Sequence, residues 1–394
     1  MTRALPEDPM VRGLIKAARA AQVSRRGLLL GTAGTIGAAS TLSLAACAPT
    51  GGNAKNIVWA NWAAYIDEDD AGNYPTLDRF EEESGIRVSY QIDVDDNNTY
   101  YAKVKDQLAL GQDIGADTVC LTDWMVSRLI RFGYVQELDK TAIPNSKNLL
   151  ASLQDPGFDP GRTFSLPWQG GFAGLCWNKE LYPKGLKNVS DLWDPELKGR
   201  VGVLSEMRDT IGLILAEQGV DISSDFTATQ FEAAVELFRE KVESGQIRNI
   251  KGNSYLEDLK NEDTIAAIVW SGDVTVINAE AGDKWEFIIP EAGGTLWNDN
   301  FVIPIGTTKQ ASVHELINYY YQPDVAAEVA AWVNYITPVE GAQAEAEKID
   351  PALAENQLIF PNAETLATAK VFRALSADEE QSFGDLFQSV LLGA

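Results

Sequence analysis

Short apolar runs alternate with amphipathic runs along most of the 394-residue chain, and the alternation breaks once before resuming. That alternation is the signature of βα units and a mostly parallel sheet. The spacing predicts strands at 57–61, 86–92 and 118–121. Helices are expected at 76–84, closed by Gly85, at 99–110, stopping at Gly111, and from the third strand through Phe132. From Pro144 to Pro167 the pattern lapses, and Pro156, Gly157, Pro160 and Gly161 punctuate a long connection. A second set follows, with strands at 172–177, 201–204, 264–270, 284–290 and 296–304, a helix after Arg208 and a long one over 228–244. Two further helices, 312–320 and 323–334, precede an Ala/Glu-rich tail. The length exceeds the ~250–300 residues at which one hydrophobic core stops growing, so two α/β units are expected. Two such units joined by extended crossings leave a cleft between them, which suits ligand capture by hinge closure.

Charge narrows the partners. Lys and Arg number 32 against 57 Asp and Glu, a formal net charge of −25. Nucleic acid requires a basic footprint, and an anionic membrane surface a polybasic one; neither is present in the balance. Acidity favours cationic partners by steering, or serves solubility alone.

The first 46 residues read as an address rather than as fold. Arg3, Arg12, Lys16 and Arg19 form a basic region, and Ser24-Arg25-Arg26-Gly27-Leu28-Leu29 gives a twin-arginine entrance to a weakly apolar stretch. The small-residue composition fits an export signal for folded proteins better than an uncleaved membrane anchor. Leu44-Ala45-Ala46-Cys47 reads as a lipobox, with Cys47 the lipidated residue after cleavage, and 47–55 as a short tether. Cleavage removes six basic and two acidic residues, which takes the net charge from −25 to −29. The remaining cysteines, Cys120 and Cys176, lie in apolar strand-like runs and are expected as buried free thiols, although an extracytoplasmic compartment permits pairing.

Catalytic signatures are missing. The one histidine, His314, sits in an amphipathic run and reads as a surface helix residue, too isolated for a triad. There is no HExxH, CxxC, P-loop or dinucleotide glycine pattern. The acidic run at 93–98 lacks the glycine and glutamate of an EF-hand loop, since Asn98 and Val104 occupy those places. A carboxylate-pair hydrolase is compatible with so many acids, but nothing marks one pair. No cofactor is expected.

Ile57-Val58-Trp59-Ala60-Asn61-Trp62-Ala63-Ala64-Tyr65-Ile66 carries a resemblance that continues through Phe132-Gly133-Tyr134-Val135-Gln136-Glu137-Leu138, Asp191-Leu192-Trp193-Asp194-Pro195-Glu196-Leu197-Lys198-Gly199, Gly293-Gly294-Thr295-Leu296-Trp297-Asn298-Asp299 and Phe360-Pro361-Asn362-Ala363-Glu364-Thr365. In these segments the chain resembles the extracytoplasmic spermidine/putrescine-binding proteins of ABC importers. The resemblance implies a two-lobed periplasmic-binding-protein fold of the type II kind. Lobe 1 would take 56–166 and 299–342, and lobe 2 would take 167–298 and 343–394. It implies a polyamine ligand, ABC permease subunits as partners, a lipid anchor in the membrane and a monomer. The family's binding positions fall on Trp62, Tyr65, Thr122, Trp124, Glu206, Asp209, Trp270, Trp297, Asp299 and Tyr335. A glutamine of the family near the C-terminus is replaced, by Phe372, which bears on ligand length.

The residue types suit that chemistry. A polyamine is a methylene chain with two to four ammonium groups, so its site needs spaced carboxylates and aromatic walls. Burying an unpaired ammonium is prohibitive, and each aromatic face adds ~0.5–2 kcal/mol of cation–π attraction. Trp297 and Asp299 share strand parity and can line one wall. Glu206 and Asp209 share a helical face, although acids in a first turn also complement the helix dipole. Trp62, Tyr65 and Trp270 also read as core aromatics. Asp123, beside Trp124, and Asp273, three residues after Trp270, are further candidate acids, or else solvated ones. Two other ligands stay open at this level. Tyr100-Tyr101 and Tyr319-Tyr320-Tyr321 could hold ferric iron, and tryptophan walls could stack a sugar.

Overall fold

The computed structural model describes residues 55–393, so the export signal, Cys47 and the tether up to residue 54 lie outside the described residues. Strand β1 (Asn56–Trp62) is followed by α1 (Pro75–Ser84), β2 (Arg87–Val94), α2 (Asn97–Ala109), β3 (Thr118–Thr122) and α3 (Asp123–Arg131). A stretch of short 3₁₀ turns leads into β4 (Ser165–Asn178). Then come β5 (Val201–Leu204), α4 (Met207–Glu217), α5 (Ala228–Glu243), β6 (Ile247–Lys251), α6 (Tyr255–Lys260), β7 (Ala266–Trp270), α7 (Ser271–Ala281), β8 (Trp285–Ile288) and β9 (Gly294–Val302). The chain ends with α8 (Gln310–Tyr320), α9 (Pro323–Val333), α10 (Ala342–Ile349), α11 (Pro351–Glu355), α12 (Ala363–Ala367), β10 (Ala369–Lys370) and α13 (Ala377–Leu391).

The strands follow one path, β2-β1-β3-β9-β4-β7-β5-β6, with β10 on β9 and β8 on β4. Each flank is parallel: β2, β1 and β3 on one side, β7, β5 and β6 on the other. The long strands β9 and β4 run antiparallel through the middle and belong to both flanks. Parallel pairs need covered crossovers, which is why each flank carries its own helices. A register shift between Pro167 and Gln169 interrupts the β4–β9 ladder where the chain passes from one half to the other.

One continuous apolar core runs through both halves. In the first half Trp59 is fully buried, with ring centroids of Tyr90, Trp168, Phe301 and Tyr320 within 5.1–5.5 Å. In the second, Phe231 of α5 stacks on Phe383 of α13 at 4.0 Å, and Phe238 lies 5.5 Å from Phe387. That stack fixes the C-terminal helix to the second half.

Several expectations change. β4 is fourteen residues long and buried throughout, beginning well before the predicted 172. Its first residues through Pro167, expected at the end of the long connection, lie within the strand. β6, α6 and α7 were not expected, and the Ala/Glu-rich tail is four helices and a short strand. His314 is not a surface residue: it is 3% exposed, and its Nε2 accepts the Asp139 N–H at 3.4 Å. The 139–148 segment crosses over α8 and covers that face. Cys120 and Cys176 are both buried and free, as expected. Among the described residues no helix is long and apolar enough to cross a membrane.

Candidate ligand cleft

A cavity opens between the halves of the sheet, with about 730 Å³ of empty space when the solvent-open mouth is included. All twelve side chains singled out in the sequence line it, together with Ala63, Arg208, Asn253, Thr295, Leu296, Val371 and Phe372. Trp62, Thr122, Asp123, Trp124, Glu206, Asp209, Trp270 and Asp273 come from the ends of strands and the starts of the helices that follow, where backbone turns aim side chains past the sheet.

Strand β9 forms one wall. Thr295, Trp297 and Asp299 alternate onto the cavity face, and two-residue steps along a strand place Thr295 and Asp299 about 13 Å apart. At the Asp299 end, the carboxylate accepts the Thr122 hydroxyl at 2.6 Å and the Tyr65 hydroxyl at 2.9 Å. At the other end Asp209 accepts the Thr295 hydroxyl at 2.6 Å and the Trp270 indole N–H at 2.9 Å. Asp273 accepts from both Tyr255 and Tyr335, at 2.6 and 2.8 Å. Asp123 accepts from the amides of Asn300 at 2.7 Å and Asn298 at 3.3 Å. Glu206, the residue before α4, receives the backbone N–H and side-chain amide of Asn97, both on Oε1.

The aromatic residues line up between these acids. Trp62, whose indole donates to the Cys120 carbonyl at 3.1 Å, lies edge-on to Trp270 at 6.0 Å. Trp270 meets Trp297 at 6.4 Å, Trp297 meets Tyr335 at 5.2 Å, and Tyr335 meets Tyr65 at 5.5 Å. Gly171 makes room for two of them: a Cβ there would stand 2.6 Å from Trp297 and 2.8 Å from Tyr335.

Burial dominates the titration of the acids. It pushes Asp299 up to about 7, with Asp123 and Asp209 adding repulsion, against the hydrogen bonds from Thr122 and Tyr65. Burial and the nearby Asp96 push Glu206 up to about 8. Burial raises Asp273 to about 6, opposed by its two tyrosines. Asp209 and Asp123 are also raised by burial. Burial thus favours the protonated form of each of these acids, and a bound cation would favour the ionised one.

Arg208 is the one cationic residue among the described residues lining the cavity. Its guanidinium carbon lies 4.0 Å from the centroid of the Trp124 ring. Burial lowers its pKa to about 10, countered by Glu380 first, then Glu206 and Asp209. Sequence reading missed Arg208, Thr295 and Asn97. Thr295 was within reach, since it shares the parity of Trp297 and Asp299; nothing local marks Arg208 or Asn97. Phe372 lines the cavity, 5.4 Å from Phe226 and with the Arg208 guanidinium 5.9 Å from its ring.

The tyrosines considered for iron lie elsewhere. Tyr320 packs on Trp59 and Trp168, Tyr321 donates to the Pro167 carbonyl at 2.6 Å, and Tyr319 accepts from Arg79 at 2.8 Å. Tyr100 and Tyr101 border a separate small apolar pocket in the first half. None of the five lines the main cavity.

Residues 76–356 match the family model of bacterial extracellular solute-binding proteins. The chain belongs to that family. Among relatives of this solute-binding protein, the spermidine/putrescine-binding periplasmic protein of Salmonella typhimurium is 28% identical over 333 residues, covering 84% of this chain and 90% of the relative. A putrescine-binding periplasmic protein of Escherichia coli is 28% identical over 335 residues, with 79% and 85% coverage. A solved spermidine/putrescine ABC transporter substrate-binding protein from Streptococcus pneumoniae superimposes with a TM-score of 0.68 at 25% identity, over 86% of this chain and 99% of that one. The halves described above form the two-lobed fold of such proteins.

Proposed function

We propose that this solute-binding protein captures a linear polyamine of the spermidine/putrescine class in the cleft and delivers it to the permease of an ABC importer. One observation carries the reading: five carboxylates and a ring of aromatic side chains converge on a single cavity in which Arg208 is the one counter-charge among the described lining residues. Carboxylates at both ends of the β9 wall, with Trp297 between them, match a flexible chain bearing an ammonium at each end. The named relatives bind the same class. A micromolar dissociation constant requires ~8 kcal/mol net, within reach of two paired ammonium groups and a few cation–π faces after ordering costs. Asp299, Asp209 and Glu206 are the ammonium partners in this reading. Trp62, Tyr65, Trp124, Trp270, Trp297 and Tyr335 wall the methylenes, Thr122 holds Asp299, and Asp123 and Asp273 add field.

The remaining assignments follow from the sequence. The chain is exported by its twin-arginine signal, lipidated at Cys47 and held at the outer face of the membrane as a non-catalytic monomer. Lobe 1 comprises 56–166 with 299–355, and lobe 2 comprises 167–298 with 356–394, where the sequence reading ends the return of lobe 1 at 342. Because α10 packs on α9 and α11 on α10, we place the last crossing after Glu355.

Calorimetry of the chain without its signal tests the ligand assignment. Putrescine or spermidine binds, more weakly as salt rises, while a hexose and ferric ion do not. Silence towards every linear polyamine overturns the assignment.

A further inference from the structure

We propose that Glu380 is the latch that holds the cleft closed, a positioning residue for binding that does not itself line the cavity. Glu380 sits in the first turn of α13, and its side chain is only 9% exposed. Its carboxylate meets Arg128 at 3.0 Å and Arg131 at 2.5 Å, both from α3 in the first half. From the second half, Arg208 of α4 reaches the same carboxylate at 3.6 Å. One acid thus serves three guanidinium groups drawn from both sides of the cleft, and α13 is anchored to the second half by the phenylalanine stack.

The cluster bears directly on the cavity wall. The guanidinium carbons of Arg128 and Arg208 lie 5.0 and 4.0 Å from the Trp124 ring centroid, and Trp124 and Arg208 both line the cavity. With Glu380 neutral, Arg128 and Arg208 repel each other across the mouth, and the closed arrangement loses its shared counter-ion. A second set of bonds closes the opposite side: Ser205 donates to Asp96 at 2.7 Å, and Ser254 N–H to Asp95 at 3.0 Å. Those bonds run from neutral donors to single carboxylates, with no acid shared among several guanidinium groups. Glu380 therefore controls the equilibrium between open and closed forms, and through it the rate at which ligand leaves.

The inference rests on the solute-binding reading of the cleft and not on the identity of the ligand. Its test compares the wild-type chain with Glu380→Gln, Arg128→Gln and the double variant, each checked for an intact fold by thermal unfolding. Two readouts are used: small-angle scattering without ligand, and stopped-flow tryptophan fluorescence with putrescine and spermidine. Glu380→Gln should expand the ligand-free molecule and speed dissociation by about tenfold or more, with little change in association rate. Adding Arg128→Gln should restore part of the loss, because it removes one of the repelling charges. Unchanged scattering and dissociation in a folded Glu380→Gln chain overturns the latch. If the wild type binds no polyamine, the scattering arm still decides the latch, and only the ligand assignment falls.

Discussion

Each acid of the cleft already holds protein donors, so the acids differ in what they have left to offer a ligand. Asp273 has an oxygen bonded to each of two tyrosines, whereas both bonds to Glu206 fall on Oε1. Glu206→Gln should therefore weaken polyamine binding by about 30-fold or more, the cost of leaving a buried charge unpaired. Asp273→Asn should cost clearly less, acting through Tyr335; calorimetry on both variants checks the order. The raised acids also predict a pH dependence. Their folded pKa values, about 6 for Asp273, 7 for Asp299 and 8 for Glu206, lie above the ordinary carboxylate range. For a carboxyl shifted up, the stabilising contribution is full below the unfolded pKa of about 4 and is lost as pH rises through the folded value. Ligand-free stability should fall across that window from these groups, while polyamine affinity rises as the carboxylates ionise. Thermal unfolding with and without ligand, and proton release measured by calorimetry in two buffers, would show it. Residue types were legible in the sequence, and so was the shared parity of Trp297 and Asp299. Arg208 was not, because its role depends on Trp124 and Glu380, 84 and 172 positions away.

At the scale of elements, strand β4 shows how a breaker residue can be a packing device. Gly171 lies in extended pairing with Trp297, and a methyl group there would collide with Trp297 and Tyr335. Gly171→Ala should push both rings towards the cavity and lower ligand affinity by about tenfold, out of proportion to an overpacking cost of about 1–3 kcal/mol in stability. Affinity and chemical denaturation measured on the same variant separate the two effects. Helix α13 depends on its partner in the same way. Phe383 is 2% exposed and stacked on Phe231, so Phe383→Ala should destabilise the second half by about 3–5 kcal/mol. Periodicity located the long helices and the flank strands, since amphipathic spacing is local. It passed over β6 and α6, whose runs are short, and α7, whose apolar residues do not gather on one face, and it placed His314 on the surface because a helix face says nothing about the loop that crosses it.

For the whole molecule, the arrangement is two parallel flanks sewn together by one antiparallel strand pair, with the cleft at the seam. Association with a cationic ligand should slow as ionic strength rises, since a chain of formal net charge −25 attracts cations over a screening length of about 8–10 Å. Stopped-flow at two salt concentrations measures it. The sequence by itself determined the α/β class, the division into two units and the kinds of side chain that a cation site requires, because all of these are written in local spacing and composition. Only the tertiary structure decided that twelve separated residues share one cavity, that burial raises the pKa of its acids, and that Glu380 gathers three arginines at its mouth. Those facts depend on how strands distant in sequence come to lie side by side, and on the low dielectric that burial creates, neither of which a local pattern encodes.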